Sequence, residues 1–313
     1  MHTLPDTFVR TVTSTFGGEG VDFLERLPEL REDCARRWGA TILPPFPNLS
    51  FNYAAPAILP DGTTAVVKIG VPHAELRTEI AALRLYAGDG CARLLDADPE
   101  RGYLLLERLQ PGTMLSTLAD DEEATAIAAK VMRRLWRPVP TEHHFPGIAD
   151  WFVGLLELRE EFDGGTGPFP PRLVEEAERL AADLFSSLAS PVVLHGDLHH
   201  FNILAAEREP WLAIDPKGVI GEPAYEVGAL MRNPHPSVIE NSRPSLIELP
   251  DPLGTLERRL TILAEILELD RARLRAWTVA QGVLSAWWGY EDQRDYLDPT
   301  WLTVAEILAQ LGE

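Results

Sequence analysis

Val192-Val-Leu-His-Gly-Asp-Leu-His-His-Phe-Asn-Ile-Leu204, followed by Ile214-Asp-Pro-Lys-Gly218, is the stretch whose reading decides the fold. It runs apolar, polar, apolar and then, after a turn, into a short apolar segment ending in an acid. That pattern predicts strand, loop, strand, strand, with Asp197 and Asn202 facing inward from the loop and Asp215 closing the hairpin. A pair of turns using Asp and Asn as local caps explains the spacing alone. It does not explain the His-Gly before Asp197, the apolar runs on both sides and the second acid at its distance.

Asp197 and Asn202 lie five apart, a spacing that resembles the kinase catalytic loop His-Arg-Asp-x-x-x-x-Asn. There the Asp takes the proton of the attacking hydroxyl and the Asn holds magnesium, and Asp215 matches the second magnesium carboxylate. Phosphoryl transfer needs such groups because its demands are positioning and charge neutralisation. Within the kinases, His195 to Asn202 with Ile214 to Gly218 resembles the aminoglycoside phosphotransferases, and most closely the branch of streptomycin 6-kinases and hydroxyurea phosphotransferases. Gly218 to Pro234, Phe16-Gly-Gly-Glu-Gly20, Leu27-Pro-Glu-Leu30 and Arg37-Trp-Gly39 carry the narrower likeness, which runs from about residue 16 to the C-terminus. It implies a bilobal α+β protein-kinase-like fold, a small antiparallel β-sheet N-lobe over 1–108 and a large helical C-lobe over 109–313. It also implies ATP and Mg2+ as cofactors, with Asp197 catalytic and Asn202 and Asp215 on the metal.

Composition is consistent with this. A chain of 313 residues buries a substantial core. The two cysteines, Cys34 and Cys91, form no Cys-x-x-Cys pair and read as thiols of a reducing compartment. With no secretory signal at the N-terminus and no stretch approaching a membrane span, the expectation is a cytoplasmic protein. A net charge of −20 argues against a nucleic-acid partner and suits a cationic small molecule, although acidity also serves solubility. The expected state is a monomer or weak dimer. Lysine occurs only at 68, 130 and 217, arginine supplying the other basic residues, as GC-rich coding would produce. Two of the three lysines fall on motif positions.

In the N-terminal part, Phe23, Leu24, Leu27, Leu30 and Cys34 recur with helical period, predicting a helix over 20–38. Tyr53 to Leu59 and Thr64 to Ile69 around Pro60-Asp-Gly-Thr63 read as a hairpin. Lys68, near the end of its second strand, stands where a kinase places the phosphate-gripping lysine. The helical segment 72–86 offers Glu79 as the acidic partner of that lysine, with Glu75, one turn earlier, as the alternative. Cys91–Leu95 and Tyr103–Glu107 read as a second hairpin, ending in a hinge at 108–112 where backbone groups near Glu107 and Leu109 would meet an adenine edge. The loop ahead of Lys68, Pro47-Asn-Leu-Ser-Phe-Asn52, lacks the Gly-x-Gly-x-x-Gly of protein kinases. Its backbone amides or the Ser50 hydroxyl are the candidates for phosphate contact.

Helices are predicted over 120–136, from 148, over 171–188, 253–268 and 271–290, and from 298 onward, with a proline-flanked loop at 241–252. Leu274, Trp277, Gln281, Leu284 and Trp288 share one face and read as core. Trp287, with Glu291 and Asp292 at the helix end and Asp150 farther back, is the candidate surface for an acceptor bearing guanidinium or ammonium groups. His195, His199 and His200 lack the spacing of a zinc site, and His195 reads as a residue that hydrogen-bonds backbone to hold the loop. Lys217 is a candidate phosphate or metal-shell cation, or a turn lysine. Glu222 and Glu226 either brace the loop or line the acceptor pocket. The resemblance implies transfer of the ATP γ-phosphoryl to a streptomycin-type aminoglycoside. The alternatives are hydroxyurea, another antibiotic or an amino sugar as acceptor, and a nucleotide-binding pseudokinase module.

Overall fold

The computed structural model describes residues 4–234, 245–292, 297 and 299–311. Parts of the loop expected at 241–252, and Asp298, expected to open the last helix, lie outside them. The chain begins with α1 (Asp6–Trp38), followed by β1 (Thr41–Ile42), β2 (Tyr53–Ile58), β3 (Thr64–Ile69), α2 (Ala74–Tyr86), β4 (Leu94–Asp98) and β5 (Tyr103–Glu107). These strands form one antiparallel sheet in the order β1-β2-β3-β5-β4.

Alternation of side chains divides that sheet into two faces. Ala65, Val67, Ile69, Tyr103 and Leu105 enter a core with Phe8, Val12, Phe23 and Leu27 of α1. Leu104 and Leu106 join the opposite core with Leu76, Ile80 and Leu83 of α2. Lys68, between Val67 and Ile69, therefore faces α2 and not α1.

Helix α1 starts well before residue 20, the start expected from periodicity. Its segment rich in threonine and the Gly17-Gly18 pair are weak helix formers, and Gly17 leaves helical geometry at φ 53°. Burial of Phe8 and Val12 against the sheet outweighs those local preferences. The strand expected from Cys91 begins instead at Leu94, because Cys91 bridges to Ala213 farther along the chain.

After β5 come β6 (Pro111–Met114), α3 (Asp121–Leu135), β7 (Arg137–Pro138), α4 (Ile148–Trp151), α5 (Val153–Glu161) and α6 (Pro171–Ser186). The signature region supplies β8 (Val192–Leu194), β9 (Ile203–Ala206), β10 (Trp211–Ala213) and β11 (Val219–Gly221), and the chain continues through α7 (Val227–Arg232), α8 (Pro252–Leu267), α9 (Arg271–Asp292) and α10 (Pro299–Gln310). Helix α9 is the centre of this part and packs on α5, α6, α7, α8 and α10. Trp277 on α9 is fully buried against Phe152, Phe185 and Tyr225, as its place on the apolar stripe predicted.

Glu222 belongs to this scaffold. It is fully buried and accepts from Arg273 Nε and Nη2 at 2.6 and 2.7 Å, from Ala189 N–H at 3.0 Å, and from Trp277 Nε1. A buried carboxylate with this many donors leaves several groups unpaired when removed. Replacing Glu222 with Ala is expected to lower unfolding free energy by about 3 kcal/mol, measured by urea denaturation; a loss under about 0.5 kcal/mol would show that the network carries no stability.

Candidate active site

The registers of two antiparallel strand pairs assemble the site. Pairing of β9 with β10 sets Ile203 opposite Ala213, so Asn202 and Ile214 are the next neighbours and Ile214 N–H donates to Asn202 O at 2.9 Å. Pairing of β8 with β11 sets Leu194 opposite Val219, and His195 O accepts from the N–H groups of Lys217 and Gly218 at 2.8 and 3.2 Å. The loop carrying Asp197 and the segment carrying Asp215 are thereby tied together at both ends.

His195 completes the tie. Its Nε2 meets Ile214 O at 2.8 Å, and its Nδ1 accepts from Asp197 N–H at 3.2 Å. Those two contacts require a neutral ring protonated at Nε2. Burial moves its pKa down to about 4, although the Ile214 carbonyl favours the charged form. Glu226, expected either to brace the loop or to line a pocket, braces it: its carboxylate accepts from His195 N–H at 2.7 Å and Gly196 N–H at 2.9 Å. Burial pushes Glu226 up to about 7, against those amides. Gly196 has φ 86°, and a Cβ there would lie 2.9 Å from Val219 and 3.0 Å from the ring of Trp151, so the loop needs glycine for both conformation and space.

Lys68 reaches across from β3. Its ammonium contacts Glu79 Oε1 at 2.7 Å and Asp215 Oδ1 at 3.2 Å, and both Lys68 and Glu79 are nearly inaccessible to solvent. Burial disfavours the charge, but Asp215 and Glu79 together raise the lysine pKa above its ordinary value. The choice between two glutamates is resolved by their faces on α2. Glu79 takes Lys68, while Glu75, one turn nearer solvent, takes Lys217. Thr78 between them donates to Lys217 O at 2.7 Å, so α2 also clamps the segment after Asp215. Asp215 itself adopts φ 56°, a left-handed conformation that is strained for a residue with a side chain and that turns its carboxylate toward Lys68.

Asp197 is part-exposed and lies 3.7 Å from His199 Nε2. Desolvation opposes its ionisation, yet His199 and Lys217 bring its pKa down to about 2, leaving a carboxylate at neutral pH. Asn202 Nδ2 donates to Asp197 O at 2.9 Å, which leaves Oδ1 free to face a cation. Asp215 and Asn202 offer hard oxygen donors of the kind Mg2+ takes when phosphates and water fill its remaining positions, so these residues fit the ion. Among the described residues no cluster of three His, Cys, Asp or Glu side chains is arranged to hold a metal by itself.

A scan against family models matches residues 53–293 to the aminoglycoside/hydroxyurea antibiotic resistance kinase family. The chain belongs to that family. It is 32% identical to streptomycin 6-kinase of Streptomyces glaucescens over 97% of this chain and 96% of that one. It is 34% identical to hydroxyurea phosphotransferase of Kitasatospora aureofaciens over 97% of this chain and 85% of the relative. Its fold matches that of a thermostable mutant of the aminoglycoside phosphotransferase APH(4)-Ia in ternary complex with ADP and hygromycin B. That likeness has a TM-score of 0.59 at 13% identity, covering 90% of this chain and 96% of that one. The protein is thus a small-molecule kinase with a bilobal protein-kinase-like fold.

The remaining expected residues fall as follows in this kinase. Ser50 is exposed in the loop joining β1 and β2. The Glu107 side chain is bound by Arg208 through Nε and Nη2 at 3.0 and 2.9 Å, and its N–H by Arg93 O, whereas Leu109 N–H forms no hydrogen bond with the described residues. Asp150, expected at the acceptor surface, caps α4 through Gly147 N–H at 2.8 Å, an engagement with its own helix start. Trp287 is a correction: it is buried among Phe162, Phe169 and Tyr290. The helix turns the neighbouring Trp288, expected in the core, edge-on to Trp151 at 5.8 Å beside the catalytic loop. Glu291 and Asp292 are exposed at the end of α9. Partial burial raises the Asp292 carboxyl pKa, Lys217 opposes this and Glu75 adds to it.

Residue-by-residue reading missed Arg208, Thr78 and Trp151 because each is engaged through a contact distant in sequence. The His195 site makes a pH prediction. An unfolded histidine protonates near the ordinary value of 6.5 and the folded one only near 4, so its contribution to stability is full above the first value and is lost as pH falls toward the second. In a His195→Gln variant the decline of unfolding free energy across that window is expected to flatten by up to about 3 kcal/mol, read from denaturation at stepped pH. An unchanged slope would mean that His195 titrates normally.

Proposed function

We propose that this kinase transfers the γ-phosphoryl of ATP to a hydroxyl of a streptomycin-type aminoglycoside in the cytoplasm, acting as a monomer or weak dimer. The single observation behind the site assignment is the set of contacts that brings Lys68, Asp197, Asn202 and Asp215 together: Lys68 meets Asp215, Asn202 donates to Asp197 O, and Ile214 N–H donates to Asn202 O. The lobes are taken as 1–108 and 109–313, with the Glu107 carbonyl and the free Leu109 N–H facing adenine. Lys68 holds phosphate, and Ser50 lies in the loop over it. Asn202 and Asp215 would hold Mg2+, which when bound neutralises phosphate charge. Lys217 is the second cation near Asp197, whose carboxylate orients the acceptor hydroxyl and accepts its proton.

A cationic acceptor is supported by the net charge of −20 and by Asp292 and Glu291 at the end of α9. Trp288 and Trp151 offer aromatic surface between that acidic rim and the catalytic loop. Hydroxyurea is the second acceptor, favoured by the 34% identity to a hydroxyurea phosphotransferase. ATP consumption measured over streptomycin, other aminoglycosides, hydroxyurea and amino sugars tests the reading. Turnover with streptomycin is expected, and turnover with none of them would sink it. Asp197→Ala is expected to lower kcat by about a thousandfold while the ATP dissociation constant stays within a few-fold; retained turnover would remove Asp197 from the reaction.

A further inference from the structure

One buried charge beside the catalytic loop has no part in the chemistry above. Arg232, the last residue of α7, is 6% exposed. Its Nη1 donates to Gln281 Oε1 at 2.7 Å, and among the described residues no carboxylate pairs with it. The contrast with the other interior guanidinium groups is sharp: Arg259 is paired with Asp121, Arg273 with Glu222 and Arg208 with Glu107. Nε and Nη2 of Arg232 form no hydrogen bond to a described residue. Neither belongs to the enclosed polar atoms left without a partner, so both border open space. A guanidinium buried without a counter-ion is strongly unfavourable unless something else satisfies it.

The surroundings say where that space lies. Gln281, Ser285, Trp288 and Asp292 recur along one face of α9, at helical spacing. Trp288 packs on Trp151, which touches the catalytic loop at Gly196, and Asp292 lies within the field of Lys217. Arg232 thus marks the deep end of a wall whose outer end is acidic. Burial brings its pKa down to about 10, with Tyr225 and Asp197 acting in the opposite sense, which puts the guanidinium in the field of the catalytic carboxylate.

We propose that Arg232, held in place by Gln281, is a specificity-determining residue of the acceptor site, donating its free N–H groups to an uncharged or anionic oxygen of the acceptor. A hydroxyl or carbonyl oxygen near the reacting hydroxyl takes the Arg232 end, and ammonium or guanidinium groups remain at the Asp292 end. This rests on the kinase reading of the cleft.

The test uses Arg232→Gln and Gln281→Glu in the full chain, with streptomycin or hydroxyurea, whichever the wild type phosphorylates. Gln281→Glu gives the guanidinium a counter-ion without changing side-chain shape. It is expected to leave the melting temperature equal or higher, to raise the acceptor KM about tenfold or more and to keep the ATP dissociation constant within about twofold. Arg232→Gln is expected to raise the acceptor KM similarly. If Arg232→Gln does not fold, Gln281→Glu decides. A variant that melts like wild type with an unchanged acceptor KM overturns the proposal, as does a parallel loss of ATP and acceptor affinity. Wild type that phosphorylates neither compound overturns the acceptor reading on which the proposal rests, and the proposal with it; wild-type turnover with an unaltered KM in the variants removes only the role of Arg232.

Discussion

A lysine ammonium buried between two lobes is the constraint on which the rest of the structure depends. Lys68 is nearly inaccessible, and such a charge is tolerable only with partners arranged at hydrogen-bond distance. Glu79 comes from the next helix and Asp215 from 147 residues farther along the chain. Satisfying all three charges requires β3, α2 and the β10–β11 segment to meet at one point. The two-sided core of the small sheet follows from this requirement: α1 covers one face so that the other is left for α2 and the cleft.

Around that point, backbone hydrogen bonds do most of the positioning. The signature residues lie beside one short hairpin, β9–β10, and one antiparallel pair, β8–β11, whose registers place Asn202 beside Ile214 and His195 beside Lys217. Each pair alone is too short to be stable. Glu226, His195 and Thr78 bind the loops from three directions, adding to the side-chain contacts of Lys68 and Asn202. The left-handed backbone of Asp215 is sustained by the same over-determination.

A second tie lies behind the cleft. Arg208, in the turn between β9 and β10, binds Glu107 and also donates to Gly88 O and Cys91 O at 2.8 and 3.1 Å. Ala92 and Ala213 add backbone bonds between the same two segments. The end of β5 and the segment 88–92 are therefore fastened to the β9–β10 hairpin. This polar network lies at the end of β5, while one face of α9 runs from Gln281, which binds the Arg232 guanidinium, through Trp288 to the Asp292 carboxylate.

The four candidate residues of the site were legible in the chain because their spacing is set by local strand and loop geometry. Asp197, Asn202, Asp215 and Lys68 could be singled out by the likeness of their spacing and setting to the kinase motifs, with the scarcity of lysine adding weight to Lys68. The helical periods also separated Trp277 as core. Adjacent residues on a helix, however, differ by about 100° in direction, so a small error in phase exchanged Trp287 and Trp288. The early start of α1 was hidden for a different reason: its weak local propensity is overridden by burial of Phe8 and Val12, which depends on a sheet formed later in the sequence. Which glutamate of α2 meets Lys68, which side chain binds Glu107 at the end of β5, and which buried arginine has no carboxylate partner among the described residues were decided only by the tertiary structure, because each depends on contacts between segments distant in the chain.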